Sequence, residues 1–204
     1  MKEKSLAEVR FKMVKERHKK RFLQAVKEGM ADKQVVSLCK LLFSLPEFFT
    51  ASTCAGRIIL LKTDEEESKR EASFLKKWHR KVKLSEVLSA MKKPLNEPEL
   101  WFKQEPFILH IGANSLHNAN SLLSIARKAG IKRLGIMVAV EGKFLMELIG
   151  TQSMALPLKF KGKDLVEKDY LEFIVKKANQ KLKKNYLQLK KFELLLKKEL
   201  EWKI

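Results

Sequence analysis

The chain has 204 residues, of which 45% are hydrophobic and 33% charged, and it carries a net charge of +19 with a pI near 9.9. That length and apolar content fit one domain with a real core, and the charge is best tolerated beside a polyanion, with RNA or DNA first among candidates. Two cysteines, Cys39 and Cys54, exclude a disulfide framework and a four-cysteine zinc site. No apolar run nears the roughly 20 residues of a membrane span. The charged N-terminus lacks a signal-peptide core, so a cytoplasmic protein is expected.

Residues 1–30 read as a helix with Leu6, Val9 and Met13 on one apolar face, continued by Phe22, Val26 and Met30. Asp32 can cap a second helix carrying Val35, Val36, Leu38, Cys39 and Leu42. Residues 48–63 read as one strand, followed by a polar turn at residues 64–68. A second strand is expected over 73–82 and a short helix over 84–92, with Pro94 and Pro98 marking a connection. Residues 100–111 read as a strand with Phe107, Leu109 and Ile111 on one face and Ile108 and His110 on the other. Gly112 is expected to turn the chain into a helix capped by Ser115, with Ala119, Leu122, Leu123 and Ala126 in a stripe and Gly130 at its stop. Leu134, Ile136, Val138 and Val140 alternate as a strand, Glu141-Gly142-Lys143 turns into residues 144–150, and a last strand lies near 153–161. Residues 168–203 form a long helix.

Both terminal helices are basic. Residues 1–33 hold 11 Lys and Arg against 5 Asp and Glu, and residues 168–203 hold 11 lysines against 5 acids. Such helices read either as solvated faces or as a surface that tracks RNA phosphates through Lys19, Lys20, Arg21, Arg80, Lys183 and Lys184. Strands separated by turns and mixed with a few helices give an α+β class: a mixed, largely antiparallel sheet flanked by helices, in a single domain over residues 1–204.

Three segments carry candidate chemistry. In Thr50-Ala51-Ser52-Thr53-Cys54-Ala55-Gly56-Arg57, a strand would place Thr50, Ser52 and Cys54 on one face and Ala51, Thr53, Ala55 and Arg57 on the other. Small residues leave room for a ligand, and hydroxyls with a guanidinium can hold a carboxylate, a phosphate or a heterocycle edge; an edge strand with a buried cysteine reads equally well. Trp78-His79-Arg80 suits stacking on a base plus a phosphate contact, or else a tryptophan anchor with exposed basic neighbours. His110 to Ser115 ends a strand and begins a helix, whose free N–H groups, with Asn114 beside them, suit an anion. No G-x-G-x-x-G is present, so a Rossmann reading fails. His110 and His117 gain no third ligand by spacing, and no metal is expected. Cys54 with His79 could be a thiol nucleophile and its base, but no orienting Asp or Asn is identifiable.

Taken together, these segments resemble the tRNA wybutosine-synthesizing protein 3 family. Ser52-Thr53-Cys54-Ala55-Gly56-Arg57-Ile58 is similar to the family's Ser-Ser-Cys-Ser-Gly-Arg-Ile, and Lys77-Trp78-His79-Arg80 to a segment of its archaeal branch. Glu105-Pro106-Phe107-Ile108-Leu109-His110, the Ala119–Gly130 stretch, and Ala178-Asn179-Gln180-Lys181-Leu182 with Asn185 resemble further family blocks in the same order. Thr53 and Ala55 stand where the family has serine, and Ile131 and Leu134 replace its Phe and Ser.

The resemblance implies an S-adenosylmethionine-dependent methyltransferase, outside the usual Rossmann-like methyltransferase fold. It would methylate N4 of a 4-demethylwyosine derivative beside the anticodon of phenylalanine tRNA, with no metal, no membrane and no obligate protein partner. In-line transfer would draw on alignment and water exclusion, together about 7–11 kcal/mol at best. On this reading Ser52, Thr53, Cys54, Arg57, His110 and Asn114 shape the donor or base pocket, Trp78 stacks on the tricycle, and His79 takes the proton. Two other readings stay open: a non-catalytic RNA-binding protein on the same scaffold, which would not bind the methyl donor, and a Cys54 thiol hydrolase.

Overall fold

The structure, a computed structural model, describes residues 5–66 and 72–200; the expected turn over 64–68 falls partly outside them. Backbone packing divides the chain into two compact units. The first takes in the chain up to Ala55, Phe107–Thr151 and the chain from Tyr186 on; the second is Gly56–Pro106 with Gln152–Asn185.

In the first unit, α1 (Leu6–Lys27) and α2 (Lys33–Ser44) precede β1 (Phe48–Cys54). Then come β5 (Ile108–Ala113), α4 (Leu116–Lys128), β6 (Arg133–Val140) and β7 (Lys143–Ile149), the numbering following chain order. The four strands form an antiparallel sheet in the order β1-β5-β7-β6. Phe48, Leu109, Ile111, Met146 and Leu148 point into one core with Leu38 and Leu42 of α2 and with Leu122, Leu123 and Ala126 of α4. Leu189, Phe192 and Leu196 from the end of α5 (Lys168–Leu200) complete it. The apolar spacing of Ala119, Leu122, Leu123 and Ala126 is what buries that face of α4, and the Ser115 side chain accepts a hydrogen bond from the Asn118 N–H at its start. Gly130 ends the helix at φ +87°, a conformation open to glycine.

Phe49 points away from that core, and α1 meets it there. Phe11 lies 5.6 Å from the Phe49 ring, His18 stacks on it at 5.1 Å, and Phe22 stacks on Phe43 at 5.4 Å. The expected apolar face of this helix is therefore corrected: Leu6, Val9 and Met13 are 91%, 45% and 69% exposed, and the helix packs through Phe11, Val14, His18 and Phe22. Burial, with Arg17, Arg21 and Lys143 nearby, lowers the His18 pKa and favours the neutral ring that stacks.

The second unit holds β2 (Arg57–Thr63), β3 (Ser73–Trp78), α3 (Leu84–Met91), β4 (Glu99–Glu105), β8 (Met154–Phe160) and β9 (Lys163–Asp164). Its sheet is antiparallel, in the order β3-β2-β4-β8-β9. Residues 168–185 of α5 belong here, and the Asn179 amide ties the helix to the loop before α3: it accepts from the Val82 N–H at 3.0 Å and donates to the Val82 carbonyl at 2.8 Å.

The α+β class and the antiparallel pairing agree with the sequence, but two expected strands are each two. Residues 48–63 break at Ala55–Gly56, where Gly56 takes φ +96° and a Cβ would stand 2.9 Å from the Glu105 carbonyl oxygen. Residues 100–111 break at Pro106, which has no N–H to give a ladder. In both cases the halves belong to different sheets. Strand β3 ends at Trp78, short of the expected residue 82. No helix among the described residues is long and apolar enough to cross a membrane.

Candidate active site

Strand β1 carries a bulge between Thr50 and Ser52, and this decides where the motif's side chains point. Thr50 lies opposite Ile111 and Thr53 opposite Leu109, both on the helix-covered face; Ser52 lies opposite His110 and Cys54 opposite Ile108, on the other face. The simple alternation expected for Thr50, Ser52 and Cys54 is thus corrected by one extra residue. Thr53 accordingly meets Cys39 of α2, whose Sγ lies 3.7 Å from the Thr53 hydroxyl, and burial pushes the Cys39 thiol up. Ser52 is exposed.

On this other face, the one that carries Phe49, the register builds a row of polar groups. Ser52 Oγ is 2.6 Å from His110 Nδ1, and His110 Nε2 is 2.8 Å from a Glu147 carboxylate oxygen on β7. Glu147 was not singled out from sequence; its signal is a lone carboxylate inside the apolar run Leu145-Met146-Glu147-Leu148-Ile149.

Asp32 stands at the N-cap of α2 yet makes no side-chain cap bond. Its carboxylate instead accepts from the Ala55 N–H at 2.8 Å, holding the chain where it leaves Cys54. Burial, followed by the nearby Asp32 and Cys54, pushes the Tyr186 hydroxyl up to about 12, so Tyr186 stays a neutral donor beside them. Asp32, Cys54 and Tyr186 thus form a second polar group in the first unit. Sequence reasoning saw Asp32 only as a cap and passed over Tyr186.

Asn114 does not join Ser52 and His110. It follows β5, accepts a hydrogen bond from Asn118 at 2.7 Å, and lines a separate groove of about 410 Å³ with Ser5, Glu8, Phe11, Glu141 and Phe144. Gly112, expected in a turn, is inside β5 opposite Phe49.

The remaining candidates lie in the second unit. Arg57 opens β2, pairs with Glu105 and lies over the Phe74 ring at 5.1 Å. Trp78 is half-buried opposite Ile58, and His79 is exposed in the bend after it. The Arg80 guanidinium spans both Glu86 carboxylate oxygens at 3.1 and 2.6 Å; its hydrogen bond is the main reason the Glu86 pKa falls to about 2. Lys183 lines a groove of about 450 Å³ with Lys81, Glu172, Lys176 and Gln180, and Lys184 is exposed beside it in sequence. In the first unit, Lys20 and Arg21 are exposed on α1 and Lys19 is half-buried.

Residues 2–198 match the family model described as Methyltransferase TYW3. The tRNA wybutosine-synthesizing protein 3 homolog of Mus musculus is 37% identical over 169 residues, which cover 81% of this chain and 65% of the mouse protein. The tRNA(Phe) 7-((3-amino-3-carboxypropyl)-4-demethylwyosine(37)-N(4))-methyltransferase of Thermococcus sibiricus is 34% identical over 92% of this chain and 95% of its own length. Among solved structures, the PH1069 protein of Pyrococcus horikoshii superposes with a TM-score of 0.86 at 33% identity, covering 92% of this chain and 96% of that one. A hypothetical protein from Aeropyrum pernix gives 0.71 at 27% identity over 80% of this chain and 96% of that one.

Proposed function

The chain belongs to the methyltransferase TYW3 family, and on that premise we propose that it methylates N4 of a 4-demethylwyosine derivative next to the anticodon of phenylalanine tRNA. The observation that carries this reading is the 34% identity to the Thermococcus sibiricus enzyme over nearly the full length of both proteins. The methyl donor is S-adenosylmethionine, which supplies an electrophilic methyl on a sulfonium.

The polar groups of the first unit suit such a donor. Ser52 offers an exposed hydroxyl, Asp32 a carboxylate able to accept from an ammonium or a ribose diol, and Tyr186 a neutral hydroxyl beside Asp32 and Cys54. Ser52, Cys54 and His110 share one face of the sheet, so their backbone register is fixed before any ligand arrives, and binding orders little that is not already ordered. Thr53, turned toward Cys39, acts by holding the strand. In the second unit, Arg57 lies over the Phe74 ring, and Trp78 offers a ring able to stack on a base. Lys19, Lys20, Arg21, Arg80, Lys183 and Lys184 contact tRNA phosphates, in keeping with the net charge of +19; the Arg80 side chain stays exposed while it pairs with Glu86. The protein works in the cytoplasm, without an obligate protein partner or a metal.

Calorimetric titration of the pure protein with S-adenosylmethionine tests the reading against a purely RNA-binding one. Saturable one-site binding is expected. Tight tRNA binding with no heat from the donor would overturn it.

A further inference from the structure

His110 is the one imidazole on the central strands of the first sheet, and its neighbours on both sides are polar. Ser52 of β1, His110 of β5, Glu147 of β7 and Gly135 of β6 are directly opposite one another in register. Residues opposite one another in antiparallel strands share a face, so the backbone alone aligns hydroxyl, imidazole and carboxylate. The bulge after Thr50 is what brings Ser52 into that row.

The row has a direction. An ionised carboxylate only accepts, so the 2.8 Å contact from His110 Nε2 to Glu147 puts a proton on Nε2. A neutral ring then leaves Nδ1 as an acceptor, and Ser52 donates its hydroxyl proton across 2.6 Å. The Ser52 oxygen, exposed to solvent, keeps its lone pairs for an incoming N–H. This is an acceptor with a relay behind it and a negative charge at the far end.

We propose that His110, reached through Ser52 Oγ, takes the proton of the nitrogen being methylated, and that Glu147 is the positioning residue that fixes the His110 tautomer. The proposal rests on the methyl-transfer reading above. As the N–CH3 bond forms, the donor's S–CH3 bond breaks and its electron pair stays on sulfur. The nitrogen's proton passes to Ser52 Oγ, the Ser52 hydroxyl proton passes to His110 Nδ1, and the imidazolium so formed is paired with Glu147. The proton then leaves to solvent, restoring the row. His79 is the competing proton acceptor, and its variant enters the test beside that of His110.

The test compares wild type with His110→Gln, Glu147→Gln, Glu147→Ala and His79→Ala. Three readouts are single-turnover methyl transfer, tRNA affinity and the nitrogen-15 spectrum of the His110 ring in donor-free protein. In wild type the spectrum should show a neutral ring protonated at Nε2. Glu147→Ala should lose that fixed tautomer, whereas Glu147→Gln should keep it and lose only the charge. Transfer should slow by roughly 10²–10⁴-fold in His110→Gln, in line with a general base. Glu147→Ala should slow it by about 10–10²-fold and Glu147→Gln by less, with tRNA affinity unchanged in all three. Thermal unfolding of each variant separates a misfolded protein from a slow one, and the Glu147→Ala rate with the wild-type ring spectrum decides if His110→Gln does not fold. An active wild type with His110→Gln and Glu147→Ala at full rate, or a wild-type ring protonated at Nδ1, would overturn the relay. An inactive wild type would instead sink the methyl-transfer reading, and the ring spectrum would still decide whether Glu147 sets the tautomer.

Discussion

Replacing Gly112 by alanine should destabilise the first unit, for a reason found in Phe49 and not in a turn. Gly112 lies inside β5 directly opposite Phe49, and a Cβ there would stand 2.1, 2.2 and 2.8 Å from three atoms of the Phe49 ring. No carbon tolerates such distances, so the ring must move. It is fully buried, with Phe11 at 5.6 Å and His18 stacked at 5.1 Å, and has little room to do so. Overpacking of this kind costs about 1–3 kcal/mol, and disturbing the aromatic contacts adds roughly 1 kcal/mol. A total of about 3 kcal/mol corresponds to a fall in Tm of roughly 6–12 °C for a chain of this size. Circular dichroism melts of wild type, Gly112→Ala, Phe49→Ala and the double variant measure it. In the Phe49→Ala background the added methyl enters space the ring has left, so the cost of Gly112→Ala should shrink by more than about 1 kcal/mol. An equal cost in both backgrounds would restore the reading of Gly112 as a turn glycine. A Tm shift under about 2 °C in the single variant would refute the packing argument itself.

Glu193, 3% exposed, gives a pH-dependent prediction. Burial alone would raise its pKa, but hydrogen bonds from Lys190 and Ser37, with Lys197 adding to them, hold it below the ordinary 4.5. A carboxylate depressed in the folded state contributes stability above its unfolded pKa and loses it as pH falls through the folded one. Glu193→Gln should therefore lower Tm at neutral pH and flatten the fall in Tm between about pH 5 and pH 3; an unchanged acid limb would contradict the assignment. Replacing Lys19, Lys20 and Arg21 together by alanine should weaken tRNA binding and reduce the slope of log affinity against log salt by roughly 2–3, as expected if each contacts one phosphate. An unchanged slope would remove α1 from the RNA surface. Cys54→Ser should keep methyl transfer within about ten-fold of wild type, because a ligand-facing thiol differs from a hydroxyl far less than a nucleophile would. Complete loss would favour the thiol chemistry.

The sequence was most legible where a single period ruled. The stripe of Ala119, Leu122, Leu123 and Ala126, the alternation of Phe107, Leu109 and Ile111, and the stop at Gly130 are all observed as expected. It was misleading where one residue altered the pattern. The bulge after Thr50 puts Thr50 on the opposite face from Ser52 and Cys54, and no local composition marks it. Pro106 and Gly56 are residue types that interrupt strands, but their effect, sending one apparent strand into two sheets, depends on pairing partners far along the chain. In α1 a hydrophobic count chose Leu6, Val9 and Met13 because it gave no weight to His18, which packs as a neutral aromatic ring. The candidate site was half legible. Ser52, Cys54 and His110 stood out by residue type and motif, whereas Glu147, Asp32 and Tyr186 acquire meaning only through contacts that cross the sheet or reach from a distant helix.

The most direct test of the account is methyl transfer itself. Purified protein would be incubated with methyl-labelled S-adenosylmethionine and phenylalanine tRNA bearing the unmethylated tricycle, and the nucleosides then separated and weighed by mass spectrometry. The account predicts one methyl gained on the tricyclic base and none elsewhere. A confirmed substrate that binds tightly and emerges without the added mass would contradict it.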